Sequence, residues 1–256
     1  MRSLHEWSLS YAEARDLQTR LAGEVQFTPL KELPRLIVGL DCAFSKDGKR
    51  IFAAAVMLEV CGPAALGWET ITPEGGGATL PLAFELEHVE TVSAEQETRF
   101  PYIPGLLSFR EAPVCLEAVG KLSREPDLYV IDGQGVAHPR RLGLAAHLGL
   151  FFDKPTVGCA KSRLIGTFDE PSEEKGAWSP LRDGEEVIGA VVRTRSHVKP
   201  VFVSVGHRCL LEDAVRVTLA CTTRYRIPEP TRLAHQVVSR IKLQDCAGRG
   251  RQEQTR

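Results

Sequence analysis

The chain has 256 residues, of which 43% are hydrophobic and 25% charged, and its formal net charge is −1 at pH 7. These values are ordinary for a folded globular protein and exclude collagen-like, coiled-coil and intrinsically disordered chains. No apolar run approaches the ~18 residues that a membrane helix needs, and the N-terminal sequence MRSLHEWSLS lacks the apolar centre of a signal peptide. We therefore expect a cytoplasmic protein with no membrane partner.

Cysteine usage and charge distribution add two weaker indications. The seven cysteines are scattered with no Cys-x-x-Cys pair, which favours reduced thiols over a zinc site or a disulfide framework. Residues 1–136 carry 12 Lys and Arg against 20 Asp and Glu, whereas residues 137–256 carry 20 against 13. A basic C-terminal half on a nearly neutral protein is compatible with a phosphate-rich partner, although most such residues are ordinary solvated surface.

The first part of the chain predicts one helix and three strands. Ser10 and Glu13 have the spacing of a capping box, and the apolar residues after them recur at helical intervals. A Gly-rich stretch at 72–78 predicts a flexible hairpin tip before the third strand. The three strands, of which the first two form a hairpin, are predicted at 36–40, 52–60 and 83–92.

Helical and strand patterns alternate in the rest of the chain. Helices are predicted at 108–123, 141–152, 211–221 and 231–243, and strands at 129–131, 156–158, 187–192 and 201–205. Three hairpin-connected strands followed by alternating helices and strands indicate an α/β mixed sheet with helices on both faces. We predict a single domain at 1–245 and a polar flexible tail at 246–256.

Two aspartates follow apolar strands of this predicted sheet. If the strands ending at Asp41 and Asp132 are parallel neighbours, both carboxylates emerge at the same edge of the sheet, where α/β proteins bind their ligands. Two carboxylates in a partly dry cleft cannot both stay ionised without a cation, and hard oxygen ligands suit Mg²⁺. The alternative is that each aspartate only opens a loop.

Three further residues are candidates for chemistry. Ser108 and Glu111 have the spacing of a second capping box, which would aim Glu111 toward the strand ends or make it a structural cap only. Lys161 follows a strand, where its ammonium could meet a phosphate, although exposed lysines are common. His235 lies on the polar flank of the last predicted helix, where a surface histidine is the alternative.

Four motifs make the chain similar to the endonuclease V family, nucleases directed at deoxyinosine. The motifs are PYIPGLLSFRE at 101–111, DGQG at 132–135 with His138-Pro139-Arg140, GCAKSRL at 158–164, and PEPTRLAH at 228–235. The resemblance extends from the first helix to about Leu243. It implies a ribonuclease-H-like fold and Mg²⁺-dependent hydrolysis, with Mn²⁺ as a substitute, of the second phosphodiester bond 3′ to a deaminated adenine in single- or double-stranded DNA.

The resemblance also assigns roles to individual residues. It implies a metal-binding and catalytic carboxylate set of Asp41, Glu111 and Asp132, with Lys161 beside the scissile phosphate and His235 as a further catalytic or metal-proximal residue. Recognition requires the base to leave the stack, which suits a rigid aromatic wedge. The wedge loop is Pro101, Tyr102, Ile103 and Pro104, led by Tyr102, and the base pocket draws on Gly105, Leu107, Gly133, His138, Leu144 and Gly158.

Two departures from the family pattern and three alternatives stay open. The departures are Cys42-Ala43 after Asp41, where an aliphatic and a small residue are usual, and extra length at 72–81. The chain could cleave inosine-containing RNA instead of DNA. It could bind inosine without cleaving, which the intact carboxylate set disfavours. A phosphotransferase is disfavoured because no GxxxxGK[ST] or GxGxxG pattern opens a helix. We expect a monomer.

Overall fold

The structure is a computed structural model that describes residues 1–61 and 83–253. The Gly-rich segment predicted to form a hairpin tip lies outside these residues. Five helices are described: α1 (Tyr11–Ala22), α2 (Leu107–Val119), α3 (Leu144–Phe152), α4 (Leu211–Ala220) and α5 (Glu229–Glu253). Eight strands are described: β1 (Leu36–Phe44), β2 (Arg50–Cys61), β3 (Glu85–Glu97), β4 (Leu128–Ile131), β5 (Thr156–Ala160), β6 (Trp178–Asp183), β7 (Glu186–Val192) and β8 (Val201–His207).

The described strands form one mixed sheet in the order β3-β2-β1-β4-β5-β8-β7-β6. Strands β1, β2 and β3 are antiparallel neighbours, and β1, β4 and β5 are parallel neighbours. Short buried strands such as β4, whose four residues are all buried, depend on this parallel pairing and on helices covering both faces. The predicted fold class, a ribonuclease-H-like mixed sheet with helices on both faces, is confirmed.

Side chains of strand β2 contact helices on both faces of the sheet. Its alternate side chains point to opposite faces of the sheet, so Ala55 and Met57 pack in a cluster with α2 and α3, whereas Phe52 and Val56 pack against α5. Helix α4 joins a third, larger cluster with β5, β7 and β8. The carboxyl ends of β1, β4 and β5 therefore lie between helical layers on two sides.

Besides β1, four elements differ most from the sequence prediction. Strand β6 was not predicted, because Pro180 interrupts its pattern; Pro180 is tolerated since β6 is the edge strand of the sheet. Strand β3 extends to Glu97, and α2 ends at Val119. Helix α5 continues to Glu253, so most of the predicted tail at 246–256 lies within the last helix.

The described helices and cysteines can be compared with two of the sequence expectations. None of the helices described is long and apolar enough to cross a membrane. The seven cysteines are free thiols in this part of the chain, in agreement with the scattered spacing in the sequence.

Candidate functional site

Asp41 and Asp132 meet because β1 and β4 are paired in parallel. Leu40 pairs with Ile131, and the Asp132 amide donates to the Leu40 carbonyl at 3.0 Å. The expectation that Asp41 ends its strand is wrong, since β1 continues to Phe44 along its pairing with β2. Strand β4 stops at Ile131, however, so beyond Leu40 the side of β1 that faces β4 is no longer paired. Asp41 thus lies at the open edge although its strand continues.

Strand alternation places three charged side chains on one face. Counting in twos, Asp41 follows Ile37 and Gly39, Asp132 follows Leu128 and Val130, and Lys161 follows Val157 and Cys159. The apolar residues of these three series pack together in the same cluster as α4. The Lys161 ammonium donates a hydrogen bond to the Asp132 carboxylate. The three side chains come from adjacent strands and share the face that α4 and α5 cover.

Helix α5 brings His235 to Asp41. A Cβ on Gly39 would lie only 2.0 Å from the carbonyl carbon and oxygen of Pro230, so only glycine lets the first turn of α5 approach β1 this closely. One turn later, His235 Nδ1 lies 2.7 Å from Asp41 Oδ2. One ligand atom from each of Asp41, Asp132 and His235 lies within 4.8 Å of the others, a group able to hold a metal ion.

The carboxylates of this site destabilise one another. Burial raises the pKa of Asp41, and so does the Asp132 charge, while His235 and Lys161 oppose the increase. Burial, with the charges of Asp41 and Asp132, raises the pKa of Glu111 to about 7, against the opposing charge of Arg110. Asp41 and Glu111 are thus buried near Asp132, and the neighbouring positive charges offset the effects of burial and repulsion only in part.

The predicted capping box at the start of α2 is wrong. Leu106 is the N-cap and no side chain caps the helix, because Ser108 lies inside the first turn and is buried. The Ser108 hydroxyl lies instead 3.1 Å from Nδ1 of His147 on α3. Glu111 still faces the carboxylates, but it reaches them from within the helix rather than from its cap.

The wedge loop is exposed at its tip and fixed at its base. Tyr102 is 67% exposed between exposed Pro101 and Pro104, whereas Ile103 packs against the core. Gly105 ends the loop with a φ of +79°, which suits glycine. Its carbonyl accepts hydrogen bonds from Gln18 Nε2 at 2.9 Å and Arg140 Nη2 at 2.7 Å.

Two of the predicted pocket residues, Leu144 and Gly158, contact the loop at 133–135. A Cβ on Gly158 would lie 2.6 Å from the Gly135 amide nitrogen, so β5 supports this loop at backbone contact distance. A Cβ on Gly133 would meet Leu144 at an ordinary 3.5 Å. Burial, reinforced by the Arg140 charge, lowers the pKa of His138 to about 4, which keeps its imidazole neutral. Leu107, the first residue of α2, is half-buried.

Sequence reasoning missed the residues that hold these parts together. Gln18 is fully buried on the same face of α1 as Ala14, Leu17 and Leu21, and Arg140 donates to its side chain. A polar residue on a buried helical face was a usable signal. The close approach at Gly39 left no signal in the sequence, because the residue it meets is distant in the chain.

A family model described as Endonuclease V matches residues 76–236. The endonuclease V of Alkalilimnicola ehrlichii is 45% identical over 240 residues, covering 93% of this chain and 96% of that protein. This chain belongs to the endonuclease V family. The comparisons confirm the family resemblance and make the chain a nuclease, a hydrolase of phosphodiester bonds.

Solved endonuclease V structures share the fold over nearly the whole chain. The structure from Streptomyces avermitilis is 39% identical with a TM-score of 0.80, covering 94% of this chain and 96% of that one. The Ciona intestinalis enzyme, solved with a 24-mer DNA containing an inosine followed by a ribo-adenosine, is 26% identical with a TM-score of 0.71, covering 92% and 98%.

Proposed function

We propose that this endonuclease V is a metal-dependent DNA repair enzyme that recognises inosine and hydrolyses the second phosphodiester bond on its 3′ side. The observation that carries the proposal is the meeting of Asp41, Asp132 and His235 at a sheet edge, where the glycine-containing loop at 133–135 begins. Cleavage chemistry and base recognition then lie side by side. The inosine-containing DNA bound by the Ciona intestinalis relative supports the choice of substrate.

The acidic groups fit a divalent cation. Asp41, Asp132 and Glu111 offer hard oxygen ligands. Burial and then carboxylate repulsion raise the pKa values of Asp41 and Glu111, and a cation would relieve that repulsion. We assign these three as ligands of Mg²⁺, with Mn²⁺ as a substitute. A divalent ion held by these carboxylates would supply the Lewis acidity that phosphodiester hydrolysis needs.

Lys161 and His235 act on either side of the carboxylates. Lys161 contacts Asp132, and its ammonium would also contact a phosphate that enters the site. His235 Nδ1 lies 2.7 Å from Asp41 Oδ2, a contact that fixes the orientation of that carboxylate. We therefore propose that Lys161 holds the scissile phosphate and that His235 orients Asp41.

The recognition groups suit an extruded base. Hypoxanthine inside the base stack is inaccessible, so the enzyme must turn the base out of the stack. We propose that Tyr102 supports the gap that the base leaves. Gly133 allows backbone to approach the edge of the base. The neutral His138 accepts a hydrogen bond at Nδ1 from the Arg140 amide at 3.2 Å, and we propose that it lines the base pocket. We further propose a cytoplasmic monomer, since one chain supplies the wedge, the pocket and the carboxylates.

The test is cleavage of matched strands. Inosine-containing DNA, its adenosine counterpart and inosine-containing RNA are incubated with Mg²⁺, with Mn²⁺ and with a chelator. We expect metal-dependent nicking between the first and second nucleotides 3′ to the inosine in DNA, with the adenosine strand intact. Faster cleavage of the RNA strand would mean that RNA, rather than DNA, is the preferred substrate. Equal cleavage of inosine and adenosine strands would contradict inosine recognition. Light scattering of the purified protein tests the monomer.

A further inference from the structure

The loop between α4 and α5 presents an aromatic ring among cations. This loop, residues 222–228, is called the Arg-Tyr loop here. Arg224 and Tyr225 are exposed, the Tyr225 side chain by 45%. The guanidinium of Arg232 lies 4.5 Å from the centre of the Tyr225 ring and that of Arg224 lies 5.8 Å from it. Alternating aromatic and cationic side chains are the composition with which proteins bind single nucleic-acid strands.

The Arg-Tyr loop is held rigidly although its tip is exposed. The Arg226 carbonyl accepts from the Thr194 hydroxyl at 2.7 Å, and Arg226 Nη2 donates to the Pro200 carbonyl at 3.0 Å. The Thr223 hydroxyl donates to Glu229 at 3.1 Å, and Glu229 also pairs with Arg232. A ring presented in a fixed position loses little conformational entropy when a ligand stacks on it.

Two contacts join the Arg-Tyr loop to the catalytic edge. Arg226 Nη2 donates to the carbonyl of Lys161 at 2.7 Å, and the Lys161 ammonium contacts Asp132. At the other end of the loop, Pro230 packs directly on Gly39, two residues before Asp41. The loop therefore borders the carboxylates on the face of the sheet that α5 covers.

The base pocket lies toward the other helical layer. Gly105 precedes α2 and Leu144 begins α3, both of which cover the face of the sheet opposite α5. A strand whose base occupies this pocket must pass the carboxylates before it reaches the Arg-Tyr loop. Because the proposed cut lies 3′ to the inosine, the part of the strand beyond the carboxylates is the part downstream of the cut.

We propose that the Arg-Tyr loop binds the nucleic-acid strand on the 3′ side of the scissile phosphate. A base downstream of the cut stacks on Tyr225, and Arg224 contacts a downstream phosphate. The inference rests on the proposed function and adds to it a subsite that fixes the strand's polarity across the site. Stacking on every base type makes the subsite indifferent to sequence.

A substrate-length series tests the subsite. Two single-stranded inosine oligonucleotides share their 5′ part and end either one or ten nucleotides beyond the proposed cut, and kcat/KM is measured with Mg²⁺. We expect the wild type to prefer the longer strand by about tenfold, the contribution of one stacked base. Tyr225→Ala should reduce this preference to near unity, whereas Tyr225→Phe should keep it. Tyr11→Ala, which removes another exposed tyrosine on α1, should also keep it.

The outcomes separate the subsite from the function beneath it. If wild type fails to cleave either inosine strand, the proposed function fails; if it cleaves both and Tyr225→Ala keeps the length preference, only the subsite fails. An equal loss in Tyr225→Ala and Tyr225→Phe would also overturn the stacking role. Arg224→Gln should lower the slope of log Kd against log salt for the longer strand by about one, and an unchanged slope would overturn the phosphate contact.

Discussion

The carboxylate side and the recognition side of this site are fixed by different interactions. Asp132 is placed by a backbone hydrogen bond to Leu40, within the pairing of β1 and β4. The wedge loop is placed by side chains, because Gln18 and Arg140 both donate to the carbonyl of Gly105. The sheet therefore sets the geometry of cleavage, and a few buried side chains set that of recognition. Substitutions should separate the two.

The largest effect should come from Asp41→Asn, which breaks the carboxylate side alone. The variant keeps the shape of the side chain but removes a charge, so cleavage of inosine-containing DNA should fall by orders of magnitude as metal binding is lost. Folding should survive, because the change also removes repulsion of Asp132 and Glu111. The measurement pairs nicking with gel-shift binding of the same oligonucleotide.

Binding should persist in Asp41→Asn because the base pocket and the basic surface do not depend on this side chain. Asp16→Asn, on the exposed face of α1, is the matched control and should nick like wild type. Robust nicking by Asp41→Asn would refute the metal assignment.

A smaller but still severe effect is expected from Gly39→Ala, which moves α5 rather than a charge. The added Cβ would lie 2.0 Å from the Pro230 backbone, so the start of α5 must shift and His235 must leave Asp41. Overpacking of this kind costs about 1–3 kcal/mol or more of unfolding free energy. Urea unfolding measures this cost, and kcat/KM should fall with it. Gly23→Ala, whose Cβ meets its neighbour at 3.4 Å, should leave both values unchanged.

The residues of the carboxylate side could be predicted because their signals are local. Apolar runs before Asp41 and Asp132 indicated buried strands, and the carboxyl ends of parallel strands meet at one edge. The bond from His235 to Asp41 could not be predicted from the residues alone, because 194 positions separate the two. The family resemblance placed His235 near the site, and the Gly39 contact explains how the helix gets there.

Local sequence patterns gave wrong predictions at Ser108 and at Asp41, where contacts with distant residues decided the structure. Ser108 and Glu111 have capping-box spacing, but His147 binds the Ser108 hydroxyl and the helix starts one residue earlier. Asp41 has the pattern of a strand end, but β2 continues to pair with β1 as far as Phe44. In both cases tertiary contacts that the sequence does not encode locally overruled a correct local preference.

On the recognition side, Tyr102→Ala should weaken activity on duplex inosine DNA more than on single-stranded DNA. A wedge matters where a partner base must be replaced, and stacking on an aromatic ring contributes roughly 1–3 kcal/mol. The tyrosine is 67% exposed, so its removal should leave the melting temperature unchanged. Comparison of kcat/KM on the two substrates measures the effect. Equal losses on both would assign Tyr102 to holding the loop instead.

The smallest effect at neutral pH concerns a histidine pair beneath the recognition side. Nε2 of His5 lies 2.9 Å from Nε2 of His147, which also contacts Ser108 of α2. Burial, with a contribution from His5, lowers the pKa of His147 to about 3 from its ordinary 6.5. Below pH 6.5 His147 is protonated in the unfolded chain, whereas in the folded chain it stays neutral until about pH 3. The stability that neutral His147 provides is therefore complete above pH 6.5 and is lost as the pH falls toward 3.

Urea unfolding of the wild type and of His147→Gln at a series of pH values isolates this contribution from the other acid-sensitive groups. Between pH 6.5 and 4, the wild-type free energy of unfolding should fall more steeply than that of the variant, by up to about 1.4 kcal/mol per pH unit for one proton. His88→Gln, which replaces an exposed histidine of β3, should keep the wild-type slope. Identical slopes for wild type and His147→Gln would mean that His147 is protonated within the folded protein.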